Sequence, residues 1–344
     1  MVNQTESQNR SEFLRAYLPT FVGKQISLEE LATAFEQQGG EKLSHRTWER
    51  EIGQIRYALP GLHVTVSGRS QVLVEPDSDY ELEIKRKERP NAKSRLGRAV
   101  WNTLFGETVF DNVAVQCADG EQWAALDKRL AEMRSGGTLT IFCDAGSTTE
   151  AFVAQLDQIG DLIAPTELTS KRKNSVSARL WPRLRIVTTS LTIAEILCKG
   201  RHRNNIEVFV AGGQVWPKYR SVAGLITQRL LPLFGEMFNN CIAIVGATGY
   251  RSADGRGGAG LLCSSMEEMF VKDWLVRNSD LCISIFDATK LKMPYLPRVF
   301  APLRAIDLVV TDSGIDETSD KALPQAVAAF CESAKKLEVA VLTV

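Results

Sequence analysis

The chain has 344 residues, 41 of them basic and 41 acidic, and 44% of the sequence is hydrophobic. This balance excludes a protein that holds nucleic acid on a uniformly basic surface, so any basic site must be local. The length favours two domains. The polar N-terminus carries no apolar signal core, and no run approaches the roughly 20 apolar residues of a membrane span. Seven cysteines without a C-x-x-C pair indicate reduced thiols, so we expect a cytoplasmic protein without metal or cofactor.

Residues 10–76 show the pattern of three helices followed by a hairpin. Apolar residues at helical spacing predict the first helix, and Ser27 with Glu30 forms a capping-box pattern at the start of the second. Ser44 precedes a third helix, and Gly39-Gly40 separates the two. Two alternating runs, 63–66 and 71–74, predict the strands of the hairpin. This order is typical of a winged helix-turn-helix domain, to which we assign residues 1–78.

The third helix is the candidate for contact with double-stranded DNA, because the winged helix-turn-helix plan places it in the major groove. Trp48 and Ile52 occupy its apolar side, and polar residues occupy the other. The residues expected to contact DNA are His45, Arg46, Thr47 and Arg50 on this helix and Arg69 at the hairpin tip. Glu49 and Glu51 temper the basic charge, and the alternative is a small domain for protein contacts whose arginines are solvated.

Residues 79–136 are predicted to be a linker with connecting helices. A basic run over 85–98 either adds sequence-independent phosphate contacts or is solvated linker charge. Apolar faces over 99–105 and 123–133 predict two helices in this part of the chain.

The stretch 138–149 has the pattern of a short buried strand, a tight turn at Gly146 and the start of a helix. Hydroxyl groups and unpaired amides converge at such a helix start, and the helix dipole favours a bound anion, phosphate above all. Taken by itself, the stretch is equally compatible with an ordinary helix cap that binds nothing.

Strand and helix patterns then alternate to the end of the chain, which predicts an α/β domain over 137–344 with a mostly parallel sheet. Ligands of such folds bind at the carboxyl ends of the strands. The predicted strand ends carry glycine, hydroxyl or aspartate groups at 144–149, 188–190, 211–213, 246–249, 287–290 and 311–313. Six such ends favour a ligand pocket over a series of unrelated turns.

These motifs, in this order and with Glu268 and Lys272 before the segment 287–290, resemble the C-terminal sensor domain of DeoR-family transcriptional regulators. That domain is similar in fold to ribose-phosphate isomerases and CoA transferases. The resemblance covers about residues 138–315, and residues 44–52 are similar to the family's recognition helix. It implies a phosphorylated sugar or related metabolite as effector, a DNA operator as target, and a homo-oligomer formed through the sensor domain.

The resemblance also implies roles for single residues. Residues 146–149 surround the effector phosphate, Lys290 reaches a ligand oxyanion beside Asp287, and Asp144 orients the phosphate turn. Glu268 and Lys272 either form a surface ion pair across one helical turn or face the pocket. The implied effector-binding residues are Asp144, Gly146, Ser147, Thr148, Thr149, Thr189, Gly212, Gly213, Gly246, Thr248, Glu268, Lys272, Asp287 and Lys290.

Three features depart from the family pattern. The sequence Glu49-Arg50-Glu51 keeps one of the two adjacent basic residues that the family carries, and the connection over 80–136 is longer than is typical of the family. An insertion over 161–183 is compatible with a lid, a partner surface or a disordered loop.

The main alternative function is a sugar-phosphate isomerase, which needs a carboxylate as general base. Residues 246–249 carry no carboxylate, and the next one along the chain is Asp254. We therefore predict a repressor that binds DNA, responds to a metabolite and catalyses no reaction. A sensor whose N-terminal domain binds a protein instead of DNA is the other alternative.

Overall fold

A computed structural model describes residues 2–21, 24–55, 62–67, 71–76, 85–106, 110, 116–117, 120–135, 137–159, 183–252, 258–292, 298–315 and 322–344. The chain divides into two compact units, Met1–Lys85 and Arg86–Val344. Arg69 and nearly all of the predicted insertion lie outside the described residues. None of the helices in the described ranges combines the length and the apolar character that a membrane crossing needs.

The first unit contains the three predicted helices and the predicted hairpin. In chain order its elements are α1 (Val2–Tyr17), β1 (Lys24–Ser27), α2 (Leu28–Gln37), α3 (His45–Ile55), β2 (Leu62–Ser67) and β3 (Gln71–Pro76). The strand β1, which the sequence pattern did not predict, pairs with β3 and completes an antiparallel sheet of order β1-β3-β2.

Aromatic packing holds the helices of the first unit together. Trp48 of α3 is fully buried, and its ring meets the Phe35 ring of α2 edge-on at 5.3 Å between centroids. The predicted capping box of α2 is confirmed, because the Ser27 hydroxyl accepts from the Glu30 amide at 3.1 Å and Glu30 accepts from the Ser27 amide at 2.9 Å. The burial of Trp48 therefore directs the apolar side of α3 toward the core of the first unit.

The second unit is built on a large sheet, and the predicted α/β class with a mostly parallel sheet is confirmed. Among the described residues this sheet has eight strands in the order β4-β16-β15-β13-β10-β5-β6-β7. Neighbouring strands are parallel from β16 to β7, and β4 alone is antiparallel to its neighbour. Their bounds are β4 (Gln116–Cys117), β5 (Thr138–Cys143), β6 (Arg183–Thr188), β7 (Ile206–Val210), β10 (Cys241–Gly246), β13 (Leu281–Ile285), β15 (Leu308–Thr311) and β16 (Ala340–Thr343).

Helices cover both faces of this sheet, and successive strand residues contribute to opposite cores. The helices are α4 (Pro90–Phe105), α5 (Gly120–Ser135), α6 (Ser147–Ala154), α7 (Leu191–Lys199), α8 (Leu225–Met237), α9 (Met266–Arg277) and α10 (Leu323–Lys336). Ile141 packs into the core that includes residues of α4, α5, α6 and α7, whereas Phe142 packs into the core that includes residues of α8, α9 and α10.

The helices α4 and α5, which the sequence analysis placed in a connection over 79–136, belong to the second unit. The Trp101 ring of α4 stacks on the Phe152 ring of α6 at 4.5 Å, and its indole nitrogen donates to the Phe152 carbonyl at 2.8 Å. Leu126 and Leu130 of α5 are buried in the same core. Burial of these apolar faces against the sheet is the reason that the second unit begins at Arg86 and not at residue 137.

Two small antiparallel sheets extend the second unit, and neither was predicted. One pairs β8 (Gln214–Trp216) with β9 (Ser221–Ala223), and the other has the order β11-β12-β14 with β11 (Gly249–Arg251), β12 (Gly260–Cys263) and β14 (Arg298–Pro302). Because β9 takes up residues 221–223, α8 begins only at Leu225.

Candidate functional site

Six polar segments lie together along one edge of the large sheet, which we call the strand-end edge. They follow β7, β6, β5, β10, β13 and β15, which are consecutive neighbours in the sheet. Because these strands are parallel, their carboxyl ends all point to the same edge. The segments of this edge are 144–149, 188–190, 211–213, 246–249, 287–290 and 311–313.

The turn before α6 presents backbone amides at the centre of this edge. Gly146 is extended, with φ −173° and ψ 151°, and no side chain caps the helix that begins at Ser147. The Thr149 hydroxyl, which we expected near the amides, instead donates to the carbonyls of Gly146 at 2.8 Å and Asp144 at 3.2 Å. The first amides of a helix have no partner within the helix, so the amides of residues 147–149 are candidate donors for an anion.

A buried charge cluster lies beneath this turn. Lys272 of α9 is 2% exposed, and its ammonium donates to Asp144 Oδ2 and to the Gly246 carbonyl, the latter at 2.8 Å. Glu268 Oε1 lies 3.3 Å from the same ammonium. Of the two alternatives for Glu268 and Lys272, the ion pair across one helical turn is present, but it is not a surface pair, because Lys272 turns inward and joins the ends of β5 and β10.

The ionisation of this cluster follows from burial and charge together. Burial by itself lowers the pKa of Lys272, but the adjacent carboxylates of Asp144 and Glu268 outweigh it and raise that pKa. For Asp144, burial raises the pKa and the Lys272 ammonium only partly compensates. For Glu268, the Lys272 charge and hydrogen bonds from Ser264 outweigh burial and lower the pKa. Lys272 is thus a permanent cation at neutral pH.

Asp144 keeps one carboxylate oxygen available. Its Oδ2 accepts from the Gly246 amide at 3.0 Å, whereas its Oδ1 is buried and has no hydrogen-bond partner among the described residues. A Cβ placed on Gly146 or Gly246 would lie 4.0 Å from Oδ1, so both glycines leave space beside this oxygen. Thr248 lies two residues further along, and its amide donates to the Leu262 carbonyl at 2.9 Å.

The two glycines after β7 have different surroundings. The Gly212 carbonyl accepts from the Thr227 hydroxyl of α8 at 2.9 Å. Gly213 has φ +151°, and a Cβ there would overlap the same hydroxyl, so close packing against α8 accounts for this glycine. Thr189, after β6, is 4% exposed, and its carbonyl accepts from the Val222 amide at 2.8 Å.

A second group of charges lies after β13 and β15. The Lys290 ammonium is 4.0 Å from Asp287 Oδ2, and the amide and hydroxyl of Thr289 donate to Asp287 Oδ1. Arg89 donates to Asp312 Oδ2 at 2.8 Å and lies 3.7 Å from Asp287 Oδ1. Burial raises the pKa of Asp312 although Arg89 and the Ala288 amide oppose the shift.

The sequence analysis did not assign Arg86, Arg89 or Glu150 to this edge. Arg86 Nε donates to Glu150 Oε2 at 2.8 Å, and Glu150, in the first turn of α6, is 6% exposed. The only sequence signal for the two arginines was the basic run over 85–98, which has the composition of a linker.

In the first unit, α3 places its predicted DNA-contacting residues on its outer side. His45, Arg46 and Arg50 are exposed, and the half-buried Thr47 has its hydroxyl 2.9 Å from that of Ser44. Glu51 is 5% exposed, lies 3.6 Å from Arg10 and accepts a hydrogen bond from the Arg50 guanidinium at 3.3 Å. Its carboxylate therefore pairs with Arg50 as well as with Arg10.

The second unit has the architecture of a ligand-sensing domain, with a parallel sheet whose strand ends are rich in glycine, hydroxyl and charged groups. Residues 176–313 match the family described as the DeoR C terminal sensor domain. This part of the second unit is therefore similar to the sensor domain of DeoR regulators, over less than half of the chain. The match includes the segments from 188–190 to 311–313, whereas the turn at 144–149 precedes it. No curated protein matches the chain.

Proposed function

We propose that the chain is a transcriptional repressor that binds double-stranded DNA through its first unit and a phosphorylated sugar or related metabolite at the strand-end edge. The observation that carries the proposal is the occurrence in one chain of a DeoR C terminal sensor domain and a helix, α3, whose arginines face outward while its tryptophan is buried. Effector binding would change the affinity for DNA, and no chemical turnover is involved.

The effector site combines groups suited to the two halves of a sugar phosphate. The backbone amides of residues 147–149, at the N-terminus of α6, provide donors for a phosphate. Lys290 supplies a cation for the same anion or for a second oxyanion. The unpartnered Oδ1 of Asp144 accepts a hydrogen bond, so it suits a sugar hydroxyl and not the phosphate.

The carboxylates at the edge support binding without turnover. Asp144 is bonded to Lys272, Asp312 to Arg89, and Asp287 to Thr289 with Lys290 nearby. A general base must be available to accept a proton from the substrate. Cations or donors engage each of these carboxylates, at Asp144 through Oδ2 only, and we take this pairing to favour a sensor over an isomerase.

The outer side of α3 is suited to contact with DNA. Arg46 and Arg50 are one helical turn apart and both exposed, and the Arg50 side chain is 63% exposed although it lies 3.3 Å from Glu51. Guanidinium groups on a recognition helix contact base edges and phosphates in the major groove. We propose that a homo-oligomer presents two such helices to a two-fold repeated operator.

The test is selection of binding sites from a random duplex DNA pool with the full chain, followed by affinity measurements on the enriched site. Arg50→Ala should weaken DNA binding by about 5- to 150-fold, which corresponds to about 1–3 kcal/mol. Arg15→Ala, which removes an exposed arginine from α1 of the same unit, serves as the matched control and should leave the affinity unchanged.

The effector half is tested with the same protein by calorimetric titration with a panel of sugar phosphates. The double change Thr148→Ala and Lys290→Ala should abolish sugar-phosphate binding and leave DNA binding intact, because it removes groups only from the second unit. Enrichment of no DNA site at low salt would contradict the DNA half of the proposal. Conversion of a sugar phosphate to an isomer would contradict the claim that the edge only binds.

A further inference from the structure

The segment that opens the second unit is fastened to the strand-end edge by two arginines. Arg86 donates through Nε to Glu150 of α6 at 2.8 Å and through Nη2 to the Thr192 hydroxyl of α7 at 2.9 Å. Three residues later, Arg89 donates to both oxygens of Asp312, at 3.0 and 2.8 Å. The chain therefore enters the second unit across the edge where we place the effector.

The two anchors differ in exposure. The side chains of Arg89 and Asp312 are 8% and 1% exposed, so this ion pair is closed off from water. The Arg86 side chain is 30% exposed, although its partner Glu150 is buried. Arg89 thus has the setting of a fixed attachment, whereas the guanidinium of Arg86 is partly accessible to solvent.

The position of Arg86 is electrostatically unusual. Thr192 is in the first turn of α7 and Glu150 in the first turn of α6, so the guanidinium lies at the positive ends of two helices. Helix dipoles disfavour a cation at this position, and the Glu150 carboxylate offsets this effect. An anion bound at the amides of 147–149 would attract the guanidinium and strengthen its hold on the edge.

We propose that Arg86 is the positioning residue that couples the effector site to the segment joining the two units. An anion at the turn before α6 stabilises the contacts of Arg86 with α6 and α7 and thereby orders the segment around it. The ion pair between Arg89 and Asp312 keeps the end of this segment in place. Effector binding then selects the arrangement in which this segment is fastened. The inference rests on the proposed function, because it requires the anion site.

The experiment is amide hydrogen exchange on the full chain, with inorganic phosphate as the probe, followed in peptides that cover 85–93 and 147–150. Phosphate at about four times its dissociation constant should slow exchange about fivefold at sites whose opening requires release of the anion. The wild type should show this protection in both peptides.

Two variants remove the anchor in different ways. Arg86→Ala deletes the guanidinium, and Thr192→Val deletes only a hydroxyl while keeping the shape of the side chain. At equal saturation with phosphate, both variants should retain the slowed exchange of peptide 147–150 and lose the slowed exchange of peptide 85–93. Arg86→Lys should keep part of the slowed exchange of peptide 85–93. The matched control is Arg98→Ala, because Arg98 belongs to the same basic run over 85–98 but donates to the neutral side chains of Gln155 and Gln158, each at 3.0 Å. It should behave as the wild type.

The outcomes separate this inference from the proposed function. Protection of 147–150 without protection of 85–93 in the wild type would overturn the coupling and leave the anion site standing. Full protection of 85–93 in both Arg86→Ala and Thr192→Val would also overturn it. Absence of protection in both wild-type peptides would overturn the phosphate site and the coupling together. If Arg86→Ala does not fold, Thr192→Val still decides the question.

Discussion

The ammonium group of Lys272 joins three elements that are far apart in the sequence. It contacts the ends of β5 and β10 through Asp144 and Gly246, it contacts Glu268 within its own helix, and it lies 5.4 Å from the centre of the Phe300 ring. Its pKa is raised, so its stabilising contribution is fully present below the ordinary value of 10.5 and is lost only as the pH rises through the higher folded value. This cation therefore stabilises the turn before α6 throughout the neutral range.

Removal of this cation should destabilise the folded chain strongly. Lys272→Met leaves Asp144 and Glu268 without their shared counter-ion, and loss of one partner of a buried ion pair costs about 3–5 kcal/mol. The free energy of unfolding from urea titrations measures the effect. Arg277→Ala, which breaks an exposed pair with Asp273 on the same helix, should change it by less than about 1 kcal/mol. Equal losses in the two variants would show that the buried cluster contributes no more than a surface pair.

At the level of elements, the contact between α4 and α6 explains why residues 90–105 belong to the second unit. A Cβ on Gly97 would lie 2.8 Å from the Phe152 Cα, so the two helices approach to backbone contact at this glycine. Trp101, one turn further along α4, then stacks on the Phe152 ring. The segment that carries Arg86 and Arg89 is continuous with this closely packed helix.

Enlargement of Gly97 should separate these helices. Gly97→Ala forces α4 away from the α6 backbone, and overpacking of this kind costs about 1–3 kcal/mol. Thermal unfolding of the full chain provides the measurement. Gly120→Ala is the control, because it also adds a methyl group to a helix of the second unit but has open space around its Cβ. A Gly97→Ala variant as stable as the Gly120→Ala variant would mean that α4 can shift without loss.

Elements with strong local signals could be predicted from the sequence. The helices α7 and α9 begin directly after serines at 190 and 265, whose hydroxyls accept from amides in the first turn of each helix. The central strands carry continuous apolar runs because both faces of the sheet are covered. By contrast, β8, β9 and β11 have three residues each, too few to show a period, and they form through pairing with neighbouring strands.

Part of the candidate site could be predicted, because a predicted strand also locates the residues that follow its carboxyl end. The six segments of the strand-end edge could be predicted from the strands, but the ion pairs and hydrogen bonds between these segments and the rest of the chain could not. Arg86 and Glu150 are 64 residues apart, and Arg89 and Asp312 are 223 residues apart. No local pattern pairs such residues, and the inward turn of Lys272 likewise depends on how α9 packs against the sheet.

For the whole molecule, the exposed apolar face of α8 is the feature that bears on assembly. Ile226, Leu233 and Met237 lie on one side of the helix at spacings of seven and four residues, and they are 61%, 49% and 64% exposed. Phe270 of the adjacent α9 is 42% exposed. A cluster of large exposed apolar side chains indicates a contact surface, and a second copy of the chain fits the proposed homo-oligomer.

A charge on this face should dissociate the oligomer. Leu233→Lys places an ammonium where the proposed interface excludes water, so sedimentation velocity should show a shift from oligomer to monomer at the same protein concentration. Ile315→Lys is the matched control, because Ile315 is 68% exposed and lies outside α8; it should sediment as the wild type.

Since two recognition helices are needed for a repeated operator, the monomer should also lose affinity for the two-fold site while retaining sugar-phosphate binding. A Leu233→Lys variant that remains oligomeric would exclude this face as the interface, and a monomer with full operator affinity would exclude the two-headed mode of binding.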